Sequence, residues 1–157
     1  MSTINHKALP KTLFFDFKQL TKVGLSVSVV FTSITGYLLG AQVIDYTVIV
    51  LLAVGGYLMV GASNAFNQVI EKDIDALMQR TKNRPLPSGR MSVTTALFIA
   101  ITFTIAGIAI LYSINPKCAL FGAISIFLYT SAYTPLKAVT PLAVFVGAIP
   151  GAIPFML

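Results

Sequence analysis

The sequence predicts an all-α fold, a polytopic transmembrane helix bundle. Of its 157 residues, 56% are apolar and only 10% are charged, whereas soluble domains carry roughly 45–50% apolar and about 25% charged residues. The mean hydropathy is +0.85, and several apolar stretches approach the ~20 residues that a helix needs to cross a ~30 Å hydrocarbon core. These observations exclude an ordinary water-soluble domain and make membrane lipid the expected surroundings of the chain.

Five apolar segments follow a basic lead-in, residues 1–22. The lead-in mixes lysines with large apolar side chains, which is typical of an amphipathic helix at a membrane surface. Only a turn around Asp45 separates the first two segments, so they predict a tight helical hairpin. The fifth contains three prolines and two glycines, which predict a broken helix around a buried polar cavity. The segments are 23–44, 46–70, 93–113, 119–134 and 141–157.

The distribution of basic residues predicts the orientation of the chain. Lysines crowd the lead-in, and five lysines and arginines lie in the polar segment 71–92, whereas the turn at Asp45 has none. Because the positive-inside rule places such clusters on the cytoplasmic side, we expect a cell inner-membrane protein with its amino terminus and segment 71–92 in the cytoplasm. Topology thus accounts for the net charge of +6, and we expect no nucleic-acid partner.

Oxygen-bearing side chains recur at helical spacing where the second segment ends. If the helix continues, Asn67, Glu71 and Asp75 share one face, since they lie at i, i+4 and i+8. Asn64 lies one turn earlier near that face, and Asp73 points elsewhere. Hard oxygen ligands favour Mg²⁺, which binds one or two carboxylates and completes its shell with water and phosphate oxygens. The spacing alone would also suit an ordinary helix end with solvated acids. We call Asn67, Glu71 and Asp75 the acidic stripe.

A basic, proline-containing run, Arg80–Arg90, follows the acidic stripe. Taken alone, its charge would serve only to orient the protein in the membrane. Beside the stripe, however, arginine can pair with phosphate oxygens bidentately while a carboxylate-bound Mg²⁺ neutralises the remaining charge. Asparagines at a membrane edge are costly and mark candidate functional sites by default. We therefore interpret the stripe and the basic run together as a clamp for a diphosphate.

Two motifs resemble the UbiA-type intramembrane prenyltransferases. The acidic stripe followed by Met78–Gly89 is similar to the first Asp-rich motif of that family. The run from Tyr133 to Pro154 is similar to the next cytoplasmic loop and following helix of the members that farnesylate haem. The resemblance extends from Leu20 to the last residue. It departs at Gly24, where many members have arginine, and at Glu71, where aspartate is frequent.

The resemblance implies an activity and a set of roles. The implied reaction transfers a farnesyl group from farnesyl diphosphate to a vinyl group of haem B, giving haem O for terminal oxidases. Mg²⁺ is the implied cofactor, and haem A synthase or oxidase assembly factors are implied contacts. The stripe would bind metal and diphosphate, Asn64 would be a further candidate, and Tyr133 would face the allylic cation. The implied phosphate partners are Arg80, Lys82, Arg84 and Lys137.

The resemblance also implies that these residues are the amino-terminal half of an enzyme. Members of the family have about nine spans and a second Asp-rich motif, whereas this sequence has about five apolar segments and one such motif. We therefore expect the 157 residues alone to be inactive. Three alternatives stay open. They are a UbiA-type enzyme with an aromatic or quinone-precursor acceptor, a transporter whose acids and broken helix form an ion path, and an inactive half-protein.

Overall fold

The computed structural model describes residues 13–134, 147–148 and 151–154. These ranges contain helices and no strand, which confirms the predicted all-α class. Lys137 and most of the predicted fifth segment lie outside them. In the described part, three helices, α2, α3 and α5, are long and apolar enough to cross a membrane. The elements are α1 (Leu13–Thr21), α2 (Val23–Gly40), α3 (Tyr46–Ile70), α4 (Lys72–Leu77), α5 (Val93–Ile114), α6 (Pro116–Phe127) and a π-helix (Leu128–Tyr133).

Polar caps define where the long helices begin. The side chain of Asp45 accepts a hydrogen bond from the Thr47 amide at 2.7 Å and starts α3. Ser92 caps α5 in the same way, and Asn115 caps α6, whose first residue is Pro116. Asn, Asp and Ser are favoured at N-caps because they satisfy backbone N–H groups that have no partner within the helix. These caps permit the short α2–α3 and α5–α6 connections, so the helices pack as antiparallel neighbours.

Helix α3 is the centre of the bundle and contacts α1, α2, α5 and α6. Small residues let α3 and α5 approach closely. A Cβ atom on Gly107 would lie 2.8 Å from the sulfur of Met59, and one on Gly55 would lie 3.0 Å from a Leu111 methyl carbon. Such stripes of small residues are a usual means of packing transmembrane helices. The large apolar side chains of α2 and α5 point outward instead, among them Phe31 and Phe98, as suits helices that face lipid.

Helix α1 ends at a single residue in a left-handed conformation, Lys22, with φ 48° and ψ 58°. This conformation is uncommon for a residue with a side chain and is retained where surrounding contacts fix it. The carbonyl oxygen of Thr21 accepts a hydrogen bond from the Ser26 hydroxyl at 2.8 Å. The break turns the chain between α1 and α2, so α1 is free to follow a different direction from the span that follows it.

The loop 78–92 is a series of hydrogen-bonded turns. Leu86 is buried in a core cluster with Leu20 of α1 and Ala65 of α3. Gly89 has φ +72°, a conformation open to glycine at little steric cost. Arg90 closes the loop, because its guanidinium donates to the carbonyl oxygen of Asn83 at 2.9 Å. The loop is therefore a folded element packed on α1 and α3.

Candidate functional site

The acidic stripe lies on one helical face, although the helix bends within it. Glu71 separates α3 from α4 with φ −91° and ψ 3°. The amide of Glu71 still donates to the Asn67 carbonyl at 2.9 Å, and the amide of Asp75 donates to the Glu71 carbonyl at 2.8 Å. Because the i to i+4 hydrogen bonds continue through the bend, the three side chains stay aligned. Asn67, Glu71 and Asp75 are only 2%, 6% and 4% exposed, whereas Asp73 faces outward.

The donor set of the stripe suits Mg²⁺ in kind. Glu71 and Asp75 offer carboxylate oxygens and Asn67 an amide oxygen, which are the hard ligands this ion prefers. In the described part of the chain, no three His, Cys, Asp or Glu residues converge on one point. The stripe can therefore hold one side of an octahedral Mg²⁺ shell, and the remaining positions would fall to water, substrate oxygens or residues from elsewhere.

Asp75 is held by the loop that follows it. Its Oδ2 lies 2.5 Å from Nη1 of Arg84, and these side chains are only 5% and 18% exposed. The hydroxyl of Thr81 donates to the Asp75 carbonyl oxygen at 3.0 Å. Of the predicted phosphate partners, Arg84 is thus bound to the stripe itself, whereas Arg80 and Lys82 are exposed. Lys137 lies outside the described residues.

The π-helix brings a second set of polar groups to the stripe. The hydroxyl of Thr134, directly after the π-helix, lies 2.9 Å from Oδ1 of Asn67 and 2.8 Å from the Tyr129 carbonyl oxygen. The π-helix also contacts α3, the helix that carries Asn67. Such π-helical turns are rare and occur frequently at functional sites. The end of the predicted fourth segment therefore packs on the stripe.

Two tyrosines lie together at this end of the π-helix. The rings of Tyr129 and Tyr133 have centroids 5.0 Å apart. A Cβ atom on Gly147 would lie 2.7 Å from the Tyr133 ring, so this glycine packs directly against it. Tyr129 lines a cavity described below, and the Tyr133 ring packs against the Tyr129 ring in a tilted arrangement. The cation-facing role expected of Tyr133 stays a prediction.

A cavity of about 220 Å³ is lined by Tyr129 and Asn64 among others, and its lining is mostly apolar, unlike the polar cavity expected from the sequence. Asn64 and Tyr129 line the end near Glu71, and Gly56, Leu111 and Gly122 line the far end. Gly56 and Asn64 are eight residues apart on α3, which corresponds to roughly 12 Å along the helix axis. Its shape suits an elongated apolar molecule whose polar end lies at the stripe. The remaining lining residues include Leu25, Val29, Ser33, Met59, Val60, Ile126 and Ile153.

Two amides of α3 have a structural partner in α1. The side-chain nitrogen of Gln68 donates to the carbonyl oxygens of Gln19 and Leu20, both at 3.0 Å. The side-chain nitrogen of Asn64 donates to the Thr21 carbonyl at 3.2 Å. These carbonyls belong to the last turn of α1, where the helix itself supplies no donors. Asn64, a further metal-site candidate from the sequence, therefore holds α1 while also lining the cavity.

Three residues of this site were not singled out by the sequence analysis. Gln68 is a fully buried amide inside an apolar helix, and that polarity was a signal available in the sequence. Thr134 lies in the second recognised motif, but its spacing from Asn67 gave no reason to pair them. Tyr129 reaches the site because the helix changes to π geometry after Phe127, and no pattern in the sequence predicts that change.

Together, the fold and the site define a multi-pass membrane protein whose buried acidic face lies between a basic loop and an apolar cavity. This combination suits a ligand with an anionic head and an apolar tail. The family model described as "UbiA prenyltransferase family" matches residues 29–157. The chain belongs to the UbiA prenyltransferase family.

Curated relatives are similar over nearly the whole chain. A protoheme IX farnesyltransferase of Christiangramia forsetii is 66% identical over 93% of this chain and 49% of its own length. That of Flavobacterium psychrophilum is 65% identical over 100% of this chain and 53% of its own length. The human mitochondrial protoheme IX farnesyltransferase is 40% identical over 87% of this chain and 31% of its own length. The chain thus spans about half the length of the bacterial relatives.

A solved structure shares the fold. The UbiA homolog from Archaeoglobus fulgidus, bound to DMAPP and Mg²⁺, matches with a TM-score of 0.80 and 20% sequence identity. The match covers 90% of this chain and 52% of that chain.

Proposed function

We propose that the full-length protein containing this chain transfers a farnesyl group from farnesyl diphosphate to haem B and forms haem O. One observation carries the proposal: a buried acidic stripe lies beside a basic loop and is joined through Thr134 to Tyr129, which lines a mostly apolar cavity. Such a site suits a molecule that combines a diphosphate with a long apolar chain. The naming of the relatives as protoheme IX farnesyltransferases supports farnesyl as the donor group and haem as the acceptor.

The residues divide between the two ends of the donor. Glu71 and Asp75, with Asn67, would hold Mg²⁺, which supplies charge neutralisation at the leaving diphosphate. Arg80 and Lys82 are exposed beside the stripe and would contact the diphosphate oxygens. We assign Lys137 the same role from the sequence. The farnesyl chain would lie in the cavity, away from the charged groups.

The proposed chemistry begins with cleavage of the bond between C1 of the farnesyl group and the diphosphate oxygen. The bonding electrons leave with the diphosphate, and fixed positive charge stabilises the negative charge that develops there. The vinyl group of haem B then attacks the allylic cation. Water adds to the resulting cation and loses a proton, which completes the hydroxyethylfarnesyl substituent.

The cavity walls have a chemical role in this scheme. Apolar side chains such as Leu25, Val29 and Ile126 keep water away from the allylic cation. Tyr129 lines the cavity, and we assign Tyr133 from the sequence to the cation, which an electron-rich ring face would stabilise. We further propose that the protein lies in the inner membrane and contacts haem A synthase or oxidase assembly factors.

Carboxylate substitutions in the full-length protein test the proposal. We expect Glu71→Gln or Asp75→Asn to lower Mg²⁺-dependent diphosphate release by at least about 10²-fold, as for loss of one strong electrostatic group. Asp73→Asn is the matched control, because Asp73 lies in the same helix and faces outward. Membrane insertion should match that of the wild type for all three variants, although Asp75→Asn should lower the unfolding temperature because Arg84 loses its partner.

The readouts also separate the alternatives. Farnesylated haem, identified by chromatography, supports the haem acceptor, and diphosphate release that requires an aromatic acceptor instead contradicts it. Ion-driven flux without diphosphate release would favour a transporter. Activity of the Glu71 and Asp75 variants within a few-fold of the wild type would show that the stripe is not the metal site.

A further inference from the structure

We propose that Arg84 is a positioning residue that acts through Asp75, and that it does not bind the diphosphate directly. This inference rests on the proposed function for the identity of the metal and the substrate. It revises the role that the sequence alone assigned to Arg84. The observation behind it is the pairing of Arg84 with a carboxylate of the acidic stripe.

The ion pair between the two residues is close and largely buried. Nη1 of Arg84 lies 2.5 Å from Oδ2 of Asp75, and the side chains are 18% and 5% exposed. A carboxylate that is removed from water needs a partner, because burial of an isolated charge is strongly unfavourable. Arg84 contacts Oδ2 of Asp75, and Oδ1 of Asp75 is not part of this ion pair. Asp75 can therefore keep Arg84 and still offer an oxygen to a metal ion.

The backbone fixes Arg84 in this place. The amide of Arg84 donates to the carbonyl of Thr81 at 2.9 Å, and the hydroxyl of Thr81 donates to the carbonyl of Asp75 at 3.0 Å. The hydroxyl of Ser88 donates to the carbonyl of Arg84 at 2.6 Å. Pro85 and Leu86, the next two residues, are buried. These contacts hold the backbone of Arg84 beside Asp75, and the ion pair then holds its guanidinium on that carboxylate.

The two carboxylates of the stripe make a nearby guanidinium electrostatically favourable. Glu71 and Asp75 carry like charges one helical turn apart, an arrangement that is unfavourable by itself. A guanidinium beside Asp75 offsets this repulsion and orients the carboxylate by a planar, directional contact. Arg80 and Lys82 differ from Arg84 because both are exposed. They are the cations of this loop that can meet the substrate without disturbing the stripe.

Kinetics of the full-length protein separate positioning from phosphate binding. We compare Arg84→Gln and Arg84→Lys with Arg80→Gln, following diphosphate release while Mg²⁺ and farnesyl diphosphate are varied independently. For Arg84→Gln we expect the half-saturating Mg²⁺ concentration to rise about tenfold or more, as for loss of a group that orients a metal ligand. The KM for farnesyl diphosphate at saturating Mg²⁺ should change less than about threefold. Arg80→Gln should show the opposite pattern, and Arg84→Lys should restore part of the Mg²⁺ affinity.

A thermal double-mutant cycle supplies a readout that needs no activity. Arg84→Gln, Asp75→Asn and the double variant are unfolded in detergent without Mg²⁺ or substrate. Each single change leaves a buried charge without its partner and should lower the unfolding temperature, and the double change should recover much of that loss. Strictly additive losses would overturn the proposal, as would an Arg84→Gln variant with raised KM and unchanged Mg²⁺ dependence. Wild-type protein that releases no diphosphate would instead refute the proposed function, while the thermal cycle would still report on the pair.

Discussion

Neighbouring polar residues of α3 have different partners although all are buried. Gln68 and Asn64 point to α1 and bind carbonyl oxygens of its last turn. Asn67 points to the other side, where the Thr134 hydroxyl lies 2.9 Å from its amide oxygen. Because successive residues on a helix turn by about 100°, a change of one position moves a side chain from a structural contact to the candidate metal face. Residue type alone does not distinguish the two roles.

Two glycines that lack close neighbours give a test of backbone conformation. A Cβ atom at Gly89 or at Gly24 would meet nothing within 4 Å, but Gly89 has φ +72°. We expect Gly89→Ala to destabilise the protein by roughly 1 kcal/mol, because a left-handed conformation is costly for alanine. Gly24→Ala lies within helix α2 and should be neutral or stabilising by about 0.5 kcal/mol. Thermal unfolding of both variants in detergent checks this, and an equal effect of the two would show that conformation is not the cause.

Helix α1 is attached to the rest of the molecule through polar contacts as well as through Leu20, which is buried in an apolar core cluster. Nε of Arg90 lies 2.9 Å from Oδ1 of Asp16, and both side chains are largely buried. A further nitrogen of Arg90 lies 3.3 Å from the side-chain oxygen of Gln19. The outer side of α1 carries exposed Leu13 and Phe14. Helix α1 thus presents apolar residues outward, as expected at a membrane surface, while its inner side is bonded to the loop beside the stripe.

Removal of the Asp16–Arg90 pair should loosen α1 without unfolding the bundle. We expect Asp16→Asn to weaken the docking of α1 by about 1.5–3 kcal/mol, since a charged hydrogen bond is lost and Arg90 stays buried. Faster tryptic cleavage at Lys22 and faster hydrogen exchange within α1 would report the change. The control is Asp16→Asn combined with Arg90→Gln, which should recover part of the protection. Unchanged cleavage in the single variant would show that α1 is held by its other contacts alone.

At the scale of the whole molecule, the basic residues predict its orientation. We expect the loop 78–92 to be inaccessible from outside the cell and the connection 41–45 to be accessible there, because basic clusters are retained in the cytoplasm. The natural cysteine, Cys118, is buried and is replaced by serine in the test protein. Single cysteines at Asn83 and at Val43, both exposed, are then labelled with an impermeant reagent. Labelling of the Asn83 position from outside would contradict the topology.

The last prediction concerns the activity of residues 1–157 by themselves. We expect residues 1–157 alone to form no haem O, because the stripe supplies only one side of a Mg²⁺ shell. Water would then reach the reacting centre and weaken each electrostatic contact. The purified chain is incubated with farnesyl diphosphate, haem B and Mg²⁺, and the haems are separated by chromatography. Formation of a farnesylated haem would show that these residues assemble a complete site.

The local pattern of the sequence was sufficient for the all-α class, for the long helices α2, α3 and α5, and for the shared helical face of the acidic stripe. Apolar segment length reflects the thickness of a membrane, and helical spacing places Asn67, Glu71 and Asp75 on one face. Segment length and helical spacing depend only on the order of residues along one helix, so both can be predicted without knowledge of the fold. The bend at Glu71 did not alter this, because its hydrogen bonds continue across it.

Contacts between distant parts of the chain were decided only by the tertiary structure. The sequence placed Arg84 at a phosphate but did not show that the turn from Thr81 brings its guanidinium to Asp75. It gave Thr134 and Gln68 no role, because their partners lie 67 and 48 to 49 residues away. Charge and polarity along a chain show that a residue needs a partner. Which partner it finds depends on how the helices pack, and packing is a property of many residues together.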